Sequence, residues 1–342
     1  MDVATGRVFT HVAERGSPAL TEFPWERFYG TATAGEAGPL GWGWAHSLTQ
    51  RLELGPEDLT YVDAEGRRVL FPRLDLGESV QHLDEQITLA QGNEGEYVLE
   101  RPEGVTLFFE EDPDHGVARL QAVFDDAGQF LVLEYEALLR RITDSLGNVY
   151  RVDSEDGLHW SSLTREATQN NIVEEEPEHC LARFQYDRAG HLSAAADALG
   201  EWWRYGYDHA HRLVQETDRS GFSFFFEYDG KGRCLRTRGQ DGVYDLSFSY
   251  AEGQTTQRDA HGNVTAYEYS DLGLVTRVTD AGGHSEEFSY AGALQTARTD
   301  ALGRTTAYAY DPEGRVTERT APSGATDRMA YDAGGLASLS EP

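Results

Sequence analysis

The fold is indicated by one recurring stretch, Tyr228-Asp229-Gly230-Lys231-Gly232-Arg233-Cys234-Leu235. Versions of it return through the second half of this 342-residue chain. Tyrosines recur there at intervals of 19 to 22 residues, at Tyr186, Tyr207, Tyr228, Tyr250, Tyr269, Tyr290, Tyr310 and Tyr331. A protein with a single folded core has no reason to keep such a period, which is typical of repeat proteins. Function is therefore expected first in the surface or cavity that neighbouring repeats build together.

An Asp and a Gly follow many of these tyrosines and define the repeat unit. The repeat signature consists of Tyr186, Asp187, Gly190, Tyr207, Asp208, Tyr228, Asp229, Gly232, Tyr250, Tyr269, Gly273, Tyr290, Tyr310, Asp311, Gly314, Tyr331, Asp332 and Gly335. Halfway along each unit, a second Asp precedes a Gly by three residues, at Asp197, Asp218, Asp259, Asp280 and Asp300. Asp favours the start of a type I turn because its carboxylate can bond the backbone two residues on, and Gly tolerates the left-handed conformation that ends the turn. Since such turns join antiparallel strands, each unit predicts two turns and two short strands.

A second aromatic residue lies two positions before most of the repeat tyrosines. These residues are Phe184, Tyr205, Phe226, Phe248, Tyr267, Phe288 and Tyr308. A spacing of two places both rings on the same face of a strand. We interpret the rings mainly as packing that fixes the strand register. The alternative is that some of them stack on sugars or bind a client, since tyrosine combines an apolar ring with a polar hydroxyl.

The rhythm of Tyr-Asp-x-x-Gly-Arg followed by Asp-x-x-Gly resembles the YD repeats of the Rhs family. The resemblance extends over roughly residues 124–342, and its repetition in phase makes it specific. It implies an all-β fold, a spiral ribbon of antiparallel β-hairpins with little helix, as a fragment of a YD-repeat shell. No long segment shows a 3.6-residue period, and the many glycines agree with an all-β chain.

The amino-terminal third is similar to the domain that opens many bacterial Rhs cores. The residues that carry this similarity are Gly6, Gly41, Trp42, Gly43 and Trp44. From its composition alone, the Gly-Trp segment predicts a tight bend packed by aromatic rings near a sheet edge. The neighbouring His46 is interpreted as a structural hydrogen-bonding residue. We therefore predict an opening β-rich domain at residues 1–118 and YD repeats at 119–342, with a degenerate or inserted stretch at about 152–180.

The charge of the chain restricts its partners. With 59 acidic and 29 basic residues, the formal net charge is −30, and Lys231 is the sole lysine. Phosphate binding needs clustered basic side chains, so neither nucleic acid nor an anionic membrane is expected as a direct partner. A basic client would suit this charge, although solubility explains it equally well. The chain has no apolar signal region at its start and no run of 18 apolar residues.

Motifs of catalytic and metal sites are not recognisable in the sequence. Neither a Gly-x-Ser-x-Gly elbow nor His-Glu-x-x-His occurs, and Cys180 and Cys234 lack the spacing of a zinc or redox pair. The stretches 112–116 and 153–157 resemble fragments of calcium loops but lack the closing Glu, so solvated turns are predicted there. We expect no catalytic, cofactor or metal residues. The family resemblance implies a self-cleavage site and a toxin domain that would lie beyond residue 342.

The resemblance implies a structural function for this chain. It would be a shell segment of an Rhs-type polymorphic toxin that sequesters a carboxy-terminal effector for delivery to competitor cells. Its partners would be the rest of its shell, the toxin domain and a type VI secretion spike or chaperone. It would be made in the bacterial cytoplasm and exported. One alternative is a cell-surface YD-repeat protein that binds glycans or partner proteins. The other is an enzyme such as a polysaccharide lyase on a β-solenoid.

Overall fold

A computed structural model describes residues 1–14, 19–167, 178–312, 314–332 and 335–340. Over these residues the regular secondary structure is almost entirely β-strand, and every strand pair is antiparallel. The helical pieces among them are two 3-10 turns, Ser47–Thr49 and Gln240–Gly242. The predicted all-β class with little helix is therefore confirmed. None of the described residues forms a helix long and apolar enough to cross a membrane.

The chain divides into two compact units, a larger one made of residues 7–82 and 87–226 and a smaller one made of residues 1–6, 83–86 and 227–342. This division rests on contacts, and the predicted boundary at residue 118 stays a prediction.

The larger unit opens with short strands and continues as a ribbon. Its strands are β1 (Phe9–Ala13), β2 (Glu26–Gly30), β3 (Ala37–Gly38), β4 (Gly41–Trp42), β5 (Trp44–His46), β6 (Arg51–Leu54), β7 (Asp58–Val62), β8 (Arg68–Pro72), β9 (Ser79–His82), β10 (Ile87–Gln91), β11 (Glu96–Glu100), β12 (Thr106–Asp112), β13 (Val117–Phe124), β14 (Phe130–Tyr135), β15 (Leu139–Asp144), β16 (Val149–Asp153), β17 (Ser162–Arg165), β18 (His179–Tyr186), β19 (Leu192–Ala196), β20 (Trp202–Tyr207), β21 (Leu213–Thr217) and most of β22 (Ser223–Tyr228).

The smaller unit continues the same alternation of strand and turn. Its strands are β23 (Cys234–Gly239), β24 (Leu246–Ala251), β25 (Gln254–Asp259), β26 (Val264–Tyr269), β27 (Val275–Thr279), β28 (Ser285–Ala291), β29 (Leu294–Thr299), β30 (Thr305–Tyr310), β31 (Val316–Thr320), β32 (Thr326–Asp332) and β33 (Gly335–Ser340).

Neighbours in sequence pair with each other along both ribbons. From β9 to β22 in the larger unit and from β23 to β33 in the smaller one, each strand pairs with the strand that follows it. The opening strands form a three-stranded sheet in the order β1-β2-β5 and a separate β3-β4 hairpin. Strand β13 makes an additional pairing with β6, in which Ala118 lies opposite Leu52. The pairings between consecutive strands are the short-range hairpins that the repeat period predicts.

Local hydrogen bonds of the repeat Asp build the turns. In the turn after β22, one carboxylate oxygen of Asp229 accepts from the backbone N–H of Lys231 at 2.8 Å and of Arg233 at 2.9 Å. The Gly232 N–H donates to the Asp229 carbonyl at 3.0 Å. Gly232 has φ of +82°, in the left-handed region where a Cβ is costly. This turn therefore has the chemistry that the sequence predicts.

The main core lies in the larger unit. Its side chains come from the alternating inward positions of the ribbon and from the opening segment, which we define as residues 7–49 with strands β1 to β5. Trp25, Tyr29, Leu48 and Trp160 are among the side chains that are almost fully buried. The Trp25 ring meets the Tyr150 ring edge to face, with centroids 4.9 Å apart. Such pairs add to the stabilisation from buried apolar area. The opening segment and the ribbon thus share one core.

Candidate assembly site

The repeat tyrosines bond one unit to the unit before it. Most of their hydroxyls donate to a backbone carbonyl 15 or 16 residues earlier. The pairs are Tyr207 with Leu192 at 2.9 Å, Tyr250 with Cys234 at 2.5 Å, Tyr290 with Val275 at 2.9 Å, Tyr310 with Gln295 at 2.6 Å and Tyr331 with Val316 at 2.7 Å. Tyr186 instead donates to Trp160, 26 residues earlier, at 2.7 Å. The tyrosine therefore fixes the register between units through a hydrogen bond, in addition to its packing.

A recurring β-bulge explains where these carbonyls come from. Opposite Tyr186, the register skips one residue of the next strand, so that Gln185 pairs with Ala194 but Tyr186 pairs with Leu192. The same skip occurs opposite Tyr207, Tyr269, Tyr290, Tyr310 and Tyr331. A bulge disrupts the ladder locally. The Leu192 carbonyl next to this bulge is the group that the following tyrosine, Tyr207, binds. The sequence analysis did not predict the bulge.

The Arg that follows the repeat Gly has two contacts. Arg233 donates its Nε to Asp229 at 2.8 Å, and its guanidinium lies 4.4 Å from the ring centre of the next tyrosine, Tyr250. Arg315 repeats both contacts, with Asp311 at 2.8 Å and with the Tyr331 ring at 4.7 Å. A cation over an aromatic face at this distance stabilises by about 0.5–1 kcal/mol at exposed sites. The motif therefore connects the turn of one unit to the tyrosine of the next.

The predicted signature residues fall into three groups in the structure. Gly190, Gly232, Gly273 and Gly314 all have positive φ. The turn that starts at Asp208 has His211, with φ of +62°, where the other turns have Gly. Asp332 and Gly335 pair with each other at the β32–β33 turn, and their side chains lie outside the described part of the chain. Residues 168–177, which belong to the insertion predicted at about 152–180, also lie outside the described part of the chain.

Gly41 and Trp42 bring the opening segment against the repeats. A Cβ built on Gly41 would lie 2.5 Å from the carbonyl oxygen of Gly190, so only glycine permits this approach. The Trp42 indole N–H donates to the Ala189 carbonyl at 2.9 Å. Its ring stacks on His211 with centroids 4.1 Å apart. The predicted Gly-Trp bend therefore contacts the turns of the repeats that begin at Tyr186 and Tyr207.

Gly43, Trp44 and Tyr29 continue this junction. The Trp44 indole N–H donates to the Tyr207 hydroxyl at 2.7 Å. Tyr29 donates its hydroxyl to the His211 carbonyl and accepts from the Leu213 N–H, both at 2.8 Å. A Cβ on Gly43 would lie 2.6 Å from the Tyr29 ring. The tyrosine hydroxyl of the repeat thus takes part both in the register between units and in the attachment of the opening segment.

A buried ion cluster lies beside this junction. Arg27 and Glu14 pair with each other, with side chains that are 2% and 3% exposed. The His46 Nε2 lies 3.3 Å from the other oxygen of Glu14, while its Nδ1 accepts from the Leu48 N–H at 3.1 Å. His46 is therefore a structural hydrogen-bonding residue, as predicted.

Burial and the neighbouring side chains shift the pKa of the Glu14 carboxyl in opposite directions. Burial alone would raise the pKa of Glu14, but the bond from His46 and the charge of Arg27 bring that pKa below its usual range. Arg27 Nη2 also donates to the Tyr205 hydroxyl at 3.3 Å. Burial raises the pKa of Tyr205 to about 12. Since the ordinary pKa of Tyr is about 10, Tyr205 is a neutral partner of the ion pair at physiological pH.

Gly6 allows a close approach in the smaller unit, as Gly41 and Gly43 do in the larger one. Its carbonyl accepts from the Cys234 N–H at 2.9 Å, and a Cβ on Gly6 would lie 2.7 Å from the Tyr250 hydroxyl. Cys234 is fully buried, and burial raises the pKa of its thiol to about 11. Cys234 therefore packs as a small buried residue.

The two stretches that resemble calcium loops form ordinary turns. Asp112 accepts from the Asp114 N–H at 3.1 Å and pairs with His115 and Arg119. In the second stretch, Asp156 accepts from the N–H groups of Leu158 and His159. Over the described ranges, no three His, Cys, Asp or Glu side chains are grouped as a metal ion would require.

Two family models match the sequence. Residues 1–71 match a domain of unknown function, DUF6531, and residues 186–223, 250–285 and 289–326 match the RHS Repeat. The first of these ranges contains the Gly-Trp segment, and the others contain repeat tyrosines.

Similar proteins include several toxins. The chain is 28% identical to Toxin protein Tse5 of Pseudomonas aeruginosa in an alignment of 298 positions that covers 74% of this chain and 22% of that protein. It is 28% identical to Double-stranded DNA deaminase toxin A of Burkholderia cenocepacia in an alignment of 276 positions that covers 71% of this chain and 19% of that protein. The chain thus spans about a fifth of the length of these relatives.

A solved structure of the Photorhabdus luminescens Tc holotoxin pore also aligns with the chain. It is 13% identical, with 93% of this chain and 20% of that chain covered and a TM-score of 0.47. Such a score does not by itself establish a common fold. The family models and the toxin relatives identify this chain as a member of the Rhs/YD-repeat family.

Proposed function

We propose that the chain is a wall segment that encloses and sequesters a toxin effector of an Rhs-type polymorphic toxin. In this function its repeats present an aromatic sheet face to the effector, and the opening segment anchors the first repeats. The proposal assigns no chemical step to the described residues. Synthesis in the bacterial cytoplasm and export as secretion cargo belong to the same proposal.

The exposure of the later repeats carries the proposal. Among the described residues from 256 to 331, none is buried. The aromatic side chains of β26, β28 and β30 are all half-buried, including those of Tyr267, Phe288 and Tyr308. A sheet normally buries its apolar face against a second layer. A half-buried aromatic face along several consecutive strands suits a surface that another body covers.

The relatives and the charge support the same function. The relatives have the word toxin in their names and are about five times as long as the matched region. The formal charge of −30 favours a basic client over nucleic acid. Hydroxyl bonds that each span 15 residues of the chain give the repeats a fixed register, which a wall of constant geometry requires.

Protection from protease tests the proposal. The full-length gene product that contains this chain is expressed with and without residues 1–342, and the effector region is followed by mass spectrometry during limited proteolysis. We expect the effector to resist cleavage in the intact protein and to be digested at least tenfold faster in the deletion. Equal cleavage rates in the two proteins would contradict sequestration.

A subtler variant separates sequestration from folding. Gly41→Ala disturbs the approach of the opening segment to Gly190, while the turn variant Gly283→Ala meets no atom within 4 Å. Gly41→Ala should increase effector cleavage more than Gly283→Ala. If both variants leave the effector fully protected although the chain is shown to be destabilised, the opening segment has no part in sequestration.

A further inference from the structure

Two histidines meet at the repeat turns that the opening segment contacts. His191 Nε2 lies 2.8 Å from His211 Nδ1, which is a hydrogen bond between the two imidazole rings. His191 is 7% exposed, and its ring stacks on the Tyr207 ring with centroids 4.7 Å apart. The His211 ring stacks on Trp42 of the opening segment. A bond between two titratable rings therefore lies where the ribbon holds the opening segment.

The hydrogen bonds of His191 determine where the protons are when both rings are neutral. Its Nδ1 lies 2.9 Å from an oxygen of Asp187. Although burial opposes ionisation of Asp187, the backbone N–H and the ring of His191 bring the pKa of that carboxyl below its usual range. An ionised carboxylate only accepts hydrogen bonds, so His191 Nδ1 carries the proton. His191 Nε2 then has a lone pair, to which His211 donates its Nδ1–H.

This bond tolerates one added proton but not two. If His211 gains a proton at Nε2, its Nδ1–H still donates to His191, and a positive ring over the Trp42 face is favourable. When His191 is protonated as well, every ring nitrogen of the pair carries an N–H, and no lone pair is left to accept. Two positive rings in contact then repel each other without a hydrogen bond between them.

The surroundings compensate only one of these two charges. Asp208 and Arg212 pair with each other at 2.7 Å, and Asp156 pairs with His159 at 2.6 Å. Asp187 is thus the carboxylate that balances the pair. The other titratable side chains of the adjacent elements are Arg188 and His209, which are exposed, and Tyr29 and Tyr207, whose pKa values burial raises.

His211 is the member of the pair that moves when the bond breaks, because His191 is buried and His211 is half-buried. The φ of His211 is +62°, a left-handed conformation that disfavours a residue with a Cβ, so its turn relaxes once the ring contact is lost. The His211 carbonyl accepts from the Tyr29 hydroxyl at 2.8 Å. Movement of His211 therefore takes a stacking surface from Trp42 and a hydrogen bond from Tyr29.

We propose that the His191–His211 pair is a proton-sensitive latch that holds the opening segment on the ribbon while at most one ring is charged and releases it when both are. Histidine is the side chain that gains a proton between about pH 8 and pH 5. In acid the open state binds one proton more than the closed state, so opening increases by up to about tenfold per pH unit as the pH falls. The latch is independent of the sequestration proposed above, since it involves no contact with an effector.

Hydrogen exchange of the whole chain measures the latch. The backbone N–H of Leu213 is the reporter, because it is buried and donates to the Tyr29 hydroxyl at 2.8 Å. We expect its protection, relative to the intrinsic exchange rate at each pH, to fall roughly tenfold or more between pH 7.5 and pH 5. The amides of β28 and β29 report general effects of acid, and their protection should change by less than about threefold.

A matched pair of variants separates the latch from the other histidines. His211→Asn suits the left-handed backbone and places a side-chain N–H where His211 has its Nδ1–H, but it takes up no proton. The protection of Leu213 should then stay within about threefold between the two pH values. His284 is the control, since it bonds an Asp four residues earlier at 3.2 Å but is exposed. His284→Asn should keep the pH response of the natural chain.

Three results would overturn the latch. One is an unchanged protection of Leu213 in the natural chain down to pH 5, and another is an equal fall in the natural chain and in His211→Asn. The third comes from nitrogen NMR of the imidazole rings in the natural chain. If both rings of the pair carry two N–H groups while Leu213 keeps its protection, a doubly charged pair does not release the opening segment. This last criterion holds even if His211→Asn does not fold.

Discussion

The same repeat motif has different surroundings in two regions of this chain. In β20 and β21, Tyr205 and Leu213 are buried beneath the opening segment. In β30 and β31, Tyr308 and Val316 occupy the equivalent positions but stay half-buried. Both regions have the bulge and the Asp turn. The motif therefore builds the ribbon by itself, whereas the burial of its side chains depends on what covers the ribbon.

The largest effect is expected at the buried ion cluster of the covered region. Glu14→Ala leaves the Arg27 charge buried without its carboxylate, which should lower the free energy of unfolding by about 3–5 kcal/mol. The matched control is Glu286→Ala, whose partner Arg298 is about half exposed at 3.0 Å. That control should cost at most about 1 kcal/mol. Urea unfolding measures both, and equal costs would break the comparison.

A pair of glycine variants tests the close approach at the junction. Gly41 and Gly283 have similar positive φ, +84° and +81°. Gly283→Ala should therefore cost about 1–2 kcal/mol from its backbone conformation alone. Gly41→Ala should cost about 2 kcal/mol more, since its Cβ also meets the Gly190 carbonyl. If thermal unfolding gives the same loss for both, the approach of β4 to the repeats is looser than described.

Two tyrosine variants compare the hydroxyl in both regions. Tyr207→Phe removes a donor to Leu192 and also leaves the Trp44 indole N–H without its acceptor, so we expect a loss of about 2–3 kcal/mol. Tyr310→Phe removes one bond, to Gln295, on a half-exposed side chain and should cost about 0.5–1.5 kcal/mol. Hydrogen exchange of the strands on either side gives each value locally. A larger loss for Tyr310→Phe would reverse the comparison.

The smallest effect is the response of Asp229 and Glu216 to pH. The pKa of Asp229 is lowered because, although burial opposes it, backbone bonds and Arg233 stabilise the carboxylate. The stability that this lowered pKa contributes to the folded state is fully present above the unfolded pKa, near 4. It is lost as the pH falls through the lower pKa of the folded state. Burial raises the pKa of Glu216 under the opening segment. Glu216→Gln should therefore stabilise slightly at pH 7 but not below pH 4, and Asp229→Asn should destabilise at pH 7. Urea unfolding at both pH values checks the two signs.

Much of the ribbon could be predicted from local residue chemistry. The Asp229 carboxylate binds backbone groups two and four residues away, so the turn is determined within five residues. The spacing of Phe184 and Tyr186 places both on one face because alternation is a property of any strand. The hydroxyl bond of Tyr207 and the bulge opposite Tyr186 could not be predicted, since they depend on how adjacent units fit together.

The all-β class, the period and the turn positions follow from the amino-acid sequence, because each arises from interactions between residues a few positions apart. Which repeats the opening segment covers is set by long-range packing. Trp44 meets Tyr207 across 163 positions and Arg27 meets Tyr205 across 178. No local pattern specifies such a pairing, since every unit offers a similar tyrosine. The opening segment packs where Gly41 and Gly43 allow a close approach and where the indole N–H groups of Trp42 and Trp44 find acceptors. The buried Arg27–Glu14 pair lies at the same place.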